Sequence, residues 1–392
     1  MKKVLVIGGG KWQVPIVKKV KELGFECICS NLYENSEAFS FADYSYVANV
    51  LDKETNLEIA IKHQVDAVIT DQTDIAVNTV AYINEKLNLL GIKIDDAKAF
   101  TNKLLMRKNI SVKGLSHPNY EVCKSVEDVV AFFKEQNKPI IIKPLNNQSS
   151  RGVNYISSLD TIPNLVKDTL ANSNEEIFLA EEYIQGIELT AEGYKFKNTN
   201  HCTLGVSKKT HYNNIIGVAQ SLQYQKTFEE FDIDELKRIN DEIFKNLPFC
   251  ITHVEYKYFN KKFYLVEAAI RGGGTRISSD IVPIHSGYDI NKFLIYDLLD
   301  IKFKKEKSCS TSDFVILKFL DFKEGKVKQI NHKCNKNPNI IDWELEFKKG
   351  HQIQSPNDDR SRLGYFILKS DSLEKLNKDI ENFENSIDIV YE

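Results

Sequence analysis

Glu255 and Glu267 are the residues whose types and spacing speak most directly of chemistry. They fall in two alternating segments, residues 251–257 and 263–269, joined by the polar turn Asn260-Lys261-Lys262. That pattern predicts adjacent strands with both carboxylates on one face. Two facing carboxylates suit Mg2+, which takes a few carboxylates and completes its shell with substrate phosphate oxygens. Upstream, Pro139-Ile140-Ile141-Ile142-Lys143-Pro144 predicts a buried strand ending in a lysine. A polar loop follows over residues 146–153 and includes Ser149, Ser150, Arg151 and Gly152. Such a loop offers backbone N–H groups and hydroxyls to a polyphosphate, and Lys143 adds a point charge. Arg271 precedes Gly272-Gly273-Gly274, glycines that would let backbone amides approach an anion. Taken singly these are ordinary features. Lys103 reads as a solvated helix lysine, Glu255 as a surface carboxylate and residues 149–152 as a turn. Their joint order along the chain is what points to a site.

The elements that must position these residues begin with an α/β unit. Residues 3–7, KVLVI, predict a buried strand that enters a turn at Gly8-Gly9-Gly10. Val14, Val17, Val20 and Leu23 recur at helical spacing, and Gly24 ends that helix. Strands over 25–30 and 67–69 and helices over 55–63 and 75–87 complete a parallel sheet with right-handed crossovers. The glycine turn is not a dinucleotide fingerprint. Gln13 stands at the third glycine position, and the second strand ends in Ser30-Asn31 rather than an acid. Asp71-Gln72-Thr73-Asp74 follows a buried strand at the carboxyl edge of the sheet, where ligands bind in such folds. A helix N-cap by Asp71 or Thr73 is the favoured reading there, and the two are compatible. Lys103 is expected on a helix that starts near Asp96 and runs through 102–107. The last portion alternates differently. Strands are expected over 314–321, 326–331, 343–348 and 362–369, and an amphipathic helix over 373–383.

Composition narrows the class. The chain has 392 residues, 42% hydrophobic and 27% charged, enough for two or three cores. Its net charge of −3 comes with no basic stripe, so no nucleic-acid partner is expected. The opening MKKVLVIGGGKW has too short an apolar stretch for a signal peptide, and no run reaches bilayer-spanning length. Seven unpatterned cysteines read as reduced thiols, so a cytoplasmic location and no membrane partner are expected.

In their order, these residues resemble the ATP-grasp superfamily, in the branch of biotin carboxylase, carbamoyl-phosphate synthase subunits and L-amino acid ligases. The resemblance implies an α/β and α+β architecture. It places a Rossmann-like pre-ATP-grasp domain at 1–92, an ATP-grasp domain at 93–307 and a β-rich lobe at 308–392. The string Arg362-Leu363-Gly364-Tyr365-Phe366-Ile367 resembles the lobe that caps the active site. The resemblance further implies ATP and Mg2+ as cofactors, with Mn2+ as a substitute. Lys103 and Lys143 would hold the ATP phosphates, and Ser149, Ser150, Arg151 and Gly152 would cover them. Glu181 would accept from the adenine amino group, with backbone contacts from Glu182 and Ile184, and Glu188 would take the ribose. Glu255 and Glu267 would ligate metal, and Arg271 would stabilise an acyl phosphate. One departure stands out, since Ala269 occupies the place where the family usually has Asn. That puts a second metal ion in doubt.

The implied reaction is ATP-dependent joining of a carboxylate to an amine through an acyl phosphate, releasing ADP and phosphate. Bicarbonate activation with a separate carrier, and nucleotide binding without catalysis, are the alternatives. Small-molecule acid and amine substrates are the expected partners, and homodimers occur among such proteins. For the substrate, Arg276 is the expected carboxylate anchor, with Gly273 beside it. Lys209, in the 205–225 segment, is an anion anchor or part of an exposed hairpin. His253 is read as a structural histidine.

Overall fold

The computed structural model describes residues 1–146, 151–212, 217–307, 311–333, 337–356 and 358–392. The apolar run KVLVI forms β1 (Lys3–Ile7), buried over four of its five residues. Pro15 opens α1 (Val14–Glu22) in the first turn, where its missing N–H costs nothing. Then come β2 (Glu26–Asn31), β3 (Tyr44–Val47), α2 (Lys53–His63), β4 (Ala67–Ile69) and α3 (Val77–Lys86). The four strands make a parallel sheet in the order β3-β2-β1-β4. A sheet covered on both faces needs continuous apolar strands, which is why β1 and β4 lack alternation. The expected helix N-cap by Asp71 or Thr73 is not formed. Ala76 is the N-cap of α3, and the Asp71 side chain turns elsewhere.

The expected single helix through Lys103 is two helices, α4 (Ile94–Thr101) and α5 (Lys103–Val112). Asn102 leaves the helical region and caps α5 by accepting from the Leu105 N–H, as a short amide side chain does well. Lys103 therefore begins a helix, where its N–H donates to the Leu145 carbonyl at 3.0 Å. Next are β5 (Tyr120–Cys123), α6 (Val126–Gln136), β6 (Ile140–Pro144), β7 (Asn154–Ile156), α7 (Ile162–Ala171) and β8 (Phe178–Glu182). These strands form a sheet in the order β5-β8-β6-β7. Ser125 and Asp128 start α6 with a capping box.

The chain then builds β9 (Ile187–Lys195), β10 (His201–His211), β11 (Ala219–Gln225), α8 (Ile233–Phe244), β12 (Cys250–Phe259) and β13 (Lys262–Ala269). Helices α9 (Val282–Ser286) and α10 (Ile290–Leu298) lead to β14 (Phe314–Phe319), β15 (Gly325–His332), β16 (Ile340–Leu345), β17 (Gln352–Ile353), β18 (Gly364–Ser370), α11 (Leu373–Glu384) and β19 (Ile387–Tyr391). Eight strands join in one sheet, β13-β12-β9-β10-β11-β14-β18-β16. The expected break at 307/308 does not interrupt it, because β11 pairs with β14 from Ser221↔Lys318 to Gln225↔Phe314. One apolar core likewise joins Val4 and Val6, Tyr194 and Tyr224, and Val315 and Ile367. The first unit, the middle sheet and the C-terminal strands are thereby held as walls of one cleft.

Candidate active site

That cleft encloses a cavity of about 520 Å3. Gln72 and Thr73 line it from the first unit. Lys209, His253, Glu255, Glu267 and Arg271 line it from the middle, and Arg360, Arg362 and Tyr365 from the C-terminal strands. Leu222, Leu317 and Phe319 give it an apolar wall.

The expected hairpin exists, and β12 pairs with β13 with Glu255 opposite Glu267. Lys209 on β10 bridges Glu188 at 2.7 Å and Glu255 at 3.2 Å. Lys257 lies 2.7 Å from the other Glu188 oxygen, and His211 is 3.4 Å from Glu188. Burial alone would raise Glu188, but these cations hold it well below the usual carboxylate range. Glu255 is held low in the same way, first by Lys209 and then by His253, against the pull of burial. His253, expected as a structural histidine, is held between two carboxylates. Its Nδ1 is 2.9 Å from the Glu192 carboxylate and its Nε2 3.7 Å from Glu255. Burial would lower its pKa, yet the two carboxylates raise it to about 9. Tyr224 donates its hydroxyl to Glu192 behind it at 3.0 Å.

Arg271 faces the cavity and forks onto Asp74 at 2.9 and 2.5 Å, which holds it firmly protonated. The Asp71–Asp74 segment is a clasp on the glycine loop. Asp71 accepts from the Gly272 N–H at 3.1 Å and the Ser278 hydroxyl at 2.7 Å. Gln72 accepts from the Arg276 N–H at 3.3 Å. Gly272 is required here, because a Cβ would lie 2.3 Å from the Asp71 carboxylate. Gly273 serves packing, since a Cβ would lie 3.0 Å from the His253 ring and 2.9 Å from Ile277, and Gly274 is the one that lines the cavity.

Arg276, the expected anchor, is engaged by acids outside the cavity lining. Its guanidinium is shared by Asp280, at 3.0 and 3.1 Å, and Asp342, at 3.2 Å, and it is not among the cavity residues. Arg362 is the better-placed cation. It stacks on the Phe319 ring at 3.5 Å and lies 3.0 Å from Asp359. Lys209, the other expected anchor, does reach the cavity, but in the grip of Glu188 and Glu255.

A second charged cluster lies in the middle of the chain. Lys143, next to last in β6, lies 2.6 Å from Glu181 on β8. Arg107, fully buried, donates to both Glu181 oxygens at 2.8 and 3.0 Å and to the Val266 carbonyl at 2.7 Å. Burial would raise Glu181, but Arg107 and Lys143 hold it at about 2. Burial pulls Lys143 down to about 8 even with Glu181 beside it. The Arg107 Nη1 is buried with no partner among the described residues. Lys103 Nζ is 3.8 Å from Glu267, so Lys103 stands between this cluster and the cavity. Gly152 has φ +69° and a Cβ there would strike Asn172 at 2.7 Å, a backbone turn only glycine makes freely. Ser149 and Ser150 lie outside the described residues, and Arg151 follows them at the edge of the loop. Glu182 accepts from the Asn119 N–H at 3.1 Å and pairs with Lys138, while Ile184 is buried.

The donor set fits a hard divalent ion. Glu255 and Glu267 present carboxylate oxygens, and among the described residues no group of three His, Cys, Asp or Glu could cage a metal alone. Such a site suits an ion that takes its remaining ligands from phosphates. The cations Lys103 and Lys143 fit a polyphosphate ligand beside it, with Arg107 buried behind on Glu181. Among the described residues no helix is long and apolar enough to cross a membrane.

Comparison with known proteins shows what the chain is similar to. Residues 318–392 match the L-amino acid ligase C-terminal domain 2, and residues 102–193 match the prokaryotic glutathione synthetase ATP-grasp domain. The formate-dependent phosphoribosylglycinamide formyltransferase of Methanocaldococcus jannaschii is 28% identical over 207 residues, 50% of this chain and 52% of that one. Its counterpart from Prochlorococcus marinus is 25% identical over 262 residues, 63% of each chain. The chain thus spans between half and two thirds of these curated relatives. Among solved structures, the L-amino acid ligase of Bacillus licheniformis superposes with TM-score 0.84 at 16% identity, covering 100% of this chain and 99% of that one. The biotin carboxylase domain dimer of Hydrogenobacter thermophilus 2-oxoglutarate carboxylase, with Mg-ADP and bicarbonate, gives 0.78 at 16%, covering 99% and 90%.

Proposed function

Taking as premise that the chain belongs to the ATP-grasp superfamily, in the branch of biotin carboxylase and L-amino acid ligase, we propose that it is an ATP-dependent carboxylate–amine ligase. The observation that carries this reading is the facing pair Glu255 and Glu267, set between Lys103 on one side and Arg271 on the other. An attacking carboxylate and a terminal phosphate are both anions, so the reaction needs cations placed where the two meet.

In this reading the acid enters the cavity with its apolar part against Leu222, Leu317 and Phe319. Its carboxylate oxygen bonds to the terminal phosphorus of ATP as the bond to ADP breaks. The amine nitrogen then bonds to the acyl carbon, phosphate leaves and the nitrogen loses a proton. A divalent ion on Glu255 and Glu267 supplies charge neutralisation at the phosphate oxygens. Lys103 and Lys143 bind phosphate, and Arg271 offsets charge on the acyl phosphate. Glu181, Glu182 and Ile184 frame the adenine, and Glu188 faces the ribose. Arg151 and Gly152, together with Ser149 and Ser150, cover the phosphates against water. We assign residues 1–92, 93–307 and 308–392 as the units that carry these parts.

The test is ADP release with Mg-ATP against carboxylic acids, including formate, amino acids and bicarbonate, each with and without an amine panel. Release that needs one acid and one amine together is the expected result. Release with bicarbonate alone moves the chain to carboxylase chemistry, and nucleotide binding without turnover on any panel sinks the ligase reading.

A further inference from the structure

The cation traffic around Glu255 is more than a metal pair needs, and its arrangement is specific. We propose that Lys209 is a built-in cation of the metal centre, so that the site works with one divalent ion rather than two. This rests on the metal role given above to Glu255 and Glu267.

The position is set by strand register. Lys209 on β10 stands opposite Glu188 on β9, and Glu188 stands opposite Lys257 on β12. Two strands over, Glu255 stands opposite Glu267. The Lys209 stem is packed in the sheet, its side chain only 10% exposed, and its ammonium lies between Glu188 at 2.7 Å and Glu255 at 3.2 Å. An ammonium is a compact point charge with three donors, so one group can neutralise two carboxylates at once. A second divalent ion bridging through Glu255 would have to sit where that ammonium sits, or beside it against like charge.

Among the described residues the remaining donors do not offer another place. On β13 the next residue on the Glu267 face is Ala269, opposite His253, and an alanine methyl has nothing to give a metal. The nearest groups facing Glu255 and Glu267 are His253 at 3.7 Å from Glu255, Lys103 at 3.8 Å from Glu267, and Arg271, whose charge is felt at both carboxylates. The acids Asp359 and Glu346 line the same cavity, but Asp359 is paired with Arg362 at 3.0 Å and Glu346 with Lys11 at 2.8 Å. Glu188 is engaged by Lys209 and Lys257 at 2.7 Å each. Two open carboxylates and a ring of fixed cations suit one ion that completes its shell with phosphate oxygens and water. The role of Glu188 toward Lys209 is that of a positioning residue, which keeps the ammonium on Glu255.

The experiment is a Mn2+ titration of the full chain saturated with ADP, with free Mn2+ read by electron paramagnetic resonance. One Mn2+ retained per bound ADP is expected for the natural chain. Lys209→Met, checked for folding by thermal melting, should retain two, and Lys209→Arg, which keeps the charge, should stay at one. Two Mn2+ per ADP in the natural chain overturns the proposal even if no variant folds. A count of one that Lys209→Met leaves unchanged in a folded protein also overturns it. Bound ADP with no retained Mn2+ removes the metal role of Glu255 and Glu267 altogether. Two ions together with acid- and amine-dependent ADP release would remove only the role of Lys209.

Discussion

The two charged clusters of this protein are built on opposite plans. In the four-stranded sheet, one carboxylate, Glu181, takes two cations, Lys143 and Arg107, and all three side chains are at most 6% exposed. In the eight-stranded sheet, Glu188, Glu192 and Glu255 share Lys209, Lys257 and His253, and Glu255 and His253 open onto the cavity. A sealed cluster keeps one geometry because water cannot replace a lost partner. An open cluster can exchange a partner for a ligand oxygen. The sealed set therefore holds its geometry, and the open set has room to take up a ligand.

The strongest way to break that contrast is to remove Arg107. Arg107→Met should cost about 3–5 kcal/mol, because it strips a buried carboxylate of its forked partner. Urea unfolding measures this, and a loss similar to that of a surface pair would mean the cluster is not sealed. Glu267→Gln attacks the open side. ADP release should fall about 10²–10³-fold, the scale for losing one electrostatic stabiliser, while the thermal midpoint stays put. A folded variant with unchanged turnover would remove Glu267 from the reaction.

Acid should find the sealed cluster next. Glu181 sits at about 2 in the fold against an ordinary 4.5. A carboxylate with a lowered folded pKa adds stability that is full above pH 4.5 and lost as pH falls toward 2. At about 1.4 kcal/mol per unit the whole shift amounts to about 3 kcal/mol. Urea midpoints from pH 5 to pH 3 should fall more steeply in the natural chain than in Glu181→Gln. Gly272→Ala tests the clasp that aims Arg271. Its Cβ would press on Asp71 and Ser278, at 2.3 and 2.6 Å, and overpacking of this kind costs about 1–3 kcal/mol. Lys138→Met gives the small end of the series. Lys138 pairs with Glu182 on the same strand as Glu181, but its side chain is 45% exposed, so melting should register no more than about 1 kcal/mol.

Much of the framework was legible because it is local. Alternation over 251–257 and 263–269 is a property of neighbouring residues, and it put Glu255 opposite Glu267 as expected. The apolar run at 3–7 and the Ile140–Pro144 strand were equally plain. Lys103 was placed on a helix, yet the break at Asn102 was missed, although a capping asparagine before a helical run is a readable sign. Asp71 was read as a cap for the helix next to it. It instead binds Gly272 and Ser278, some two hundred residues away, which nothing nearby could reveal. Arg276 looked like an anchor from its place after the glycines, but Asp280, one helical turn on, was there to be noticed as its partner.

The sequence by itself determined the strands, the turns and the faces their side chains share, because the two-residue and 3.6-residue periods are written in adjacent positions. Only the tertiary structure decided which charge meets which. Arg107 and Glu181 are 74 residues apart, and Asp74 and Arg271 are 197 apart. Those meetings follow from sheet order and register, which distant segments fix together when they bury their apolar faces. The same physics set His253, legible only as a structural histidine, between Glu192 and Glu255. It also set Lys209 on Glu255, since β10 and β12 flank β9 and lay both side chains against Glu188 or its neighbour on one face.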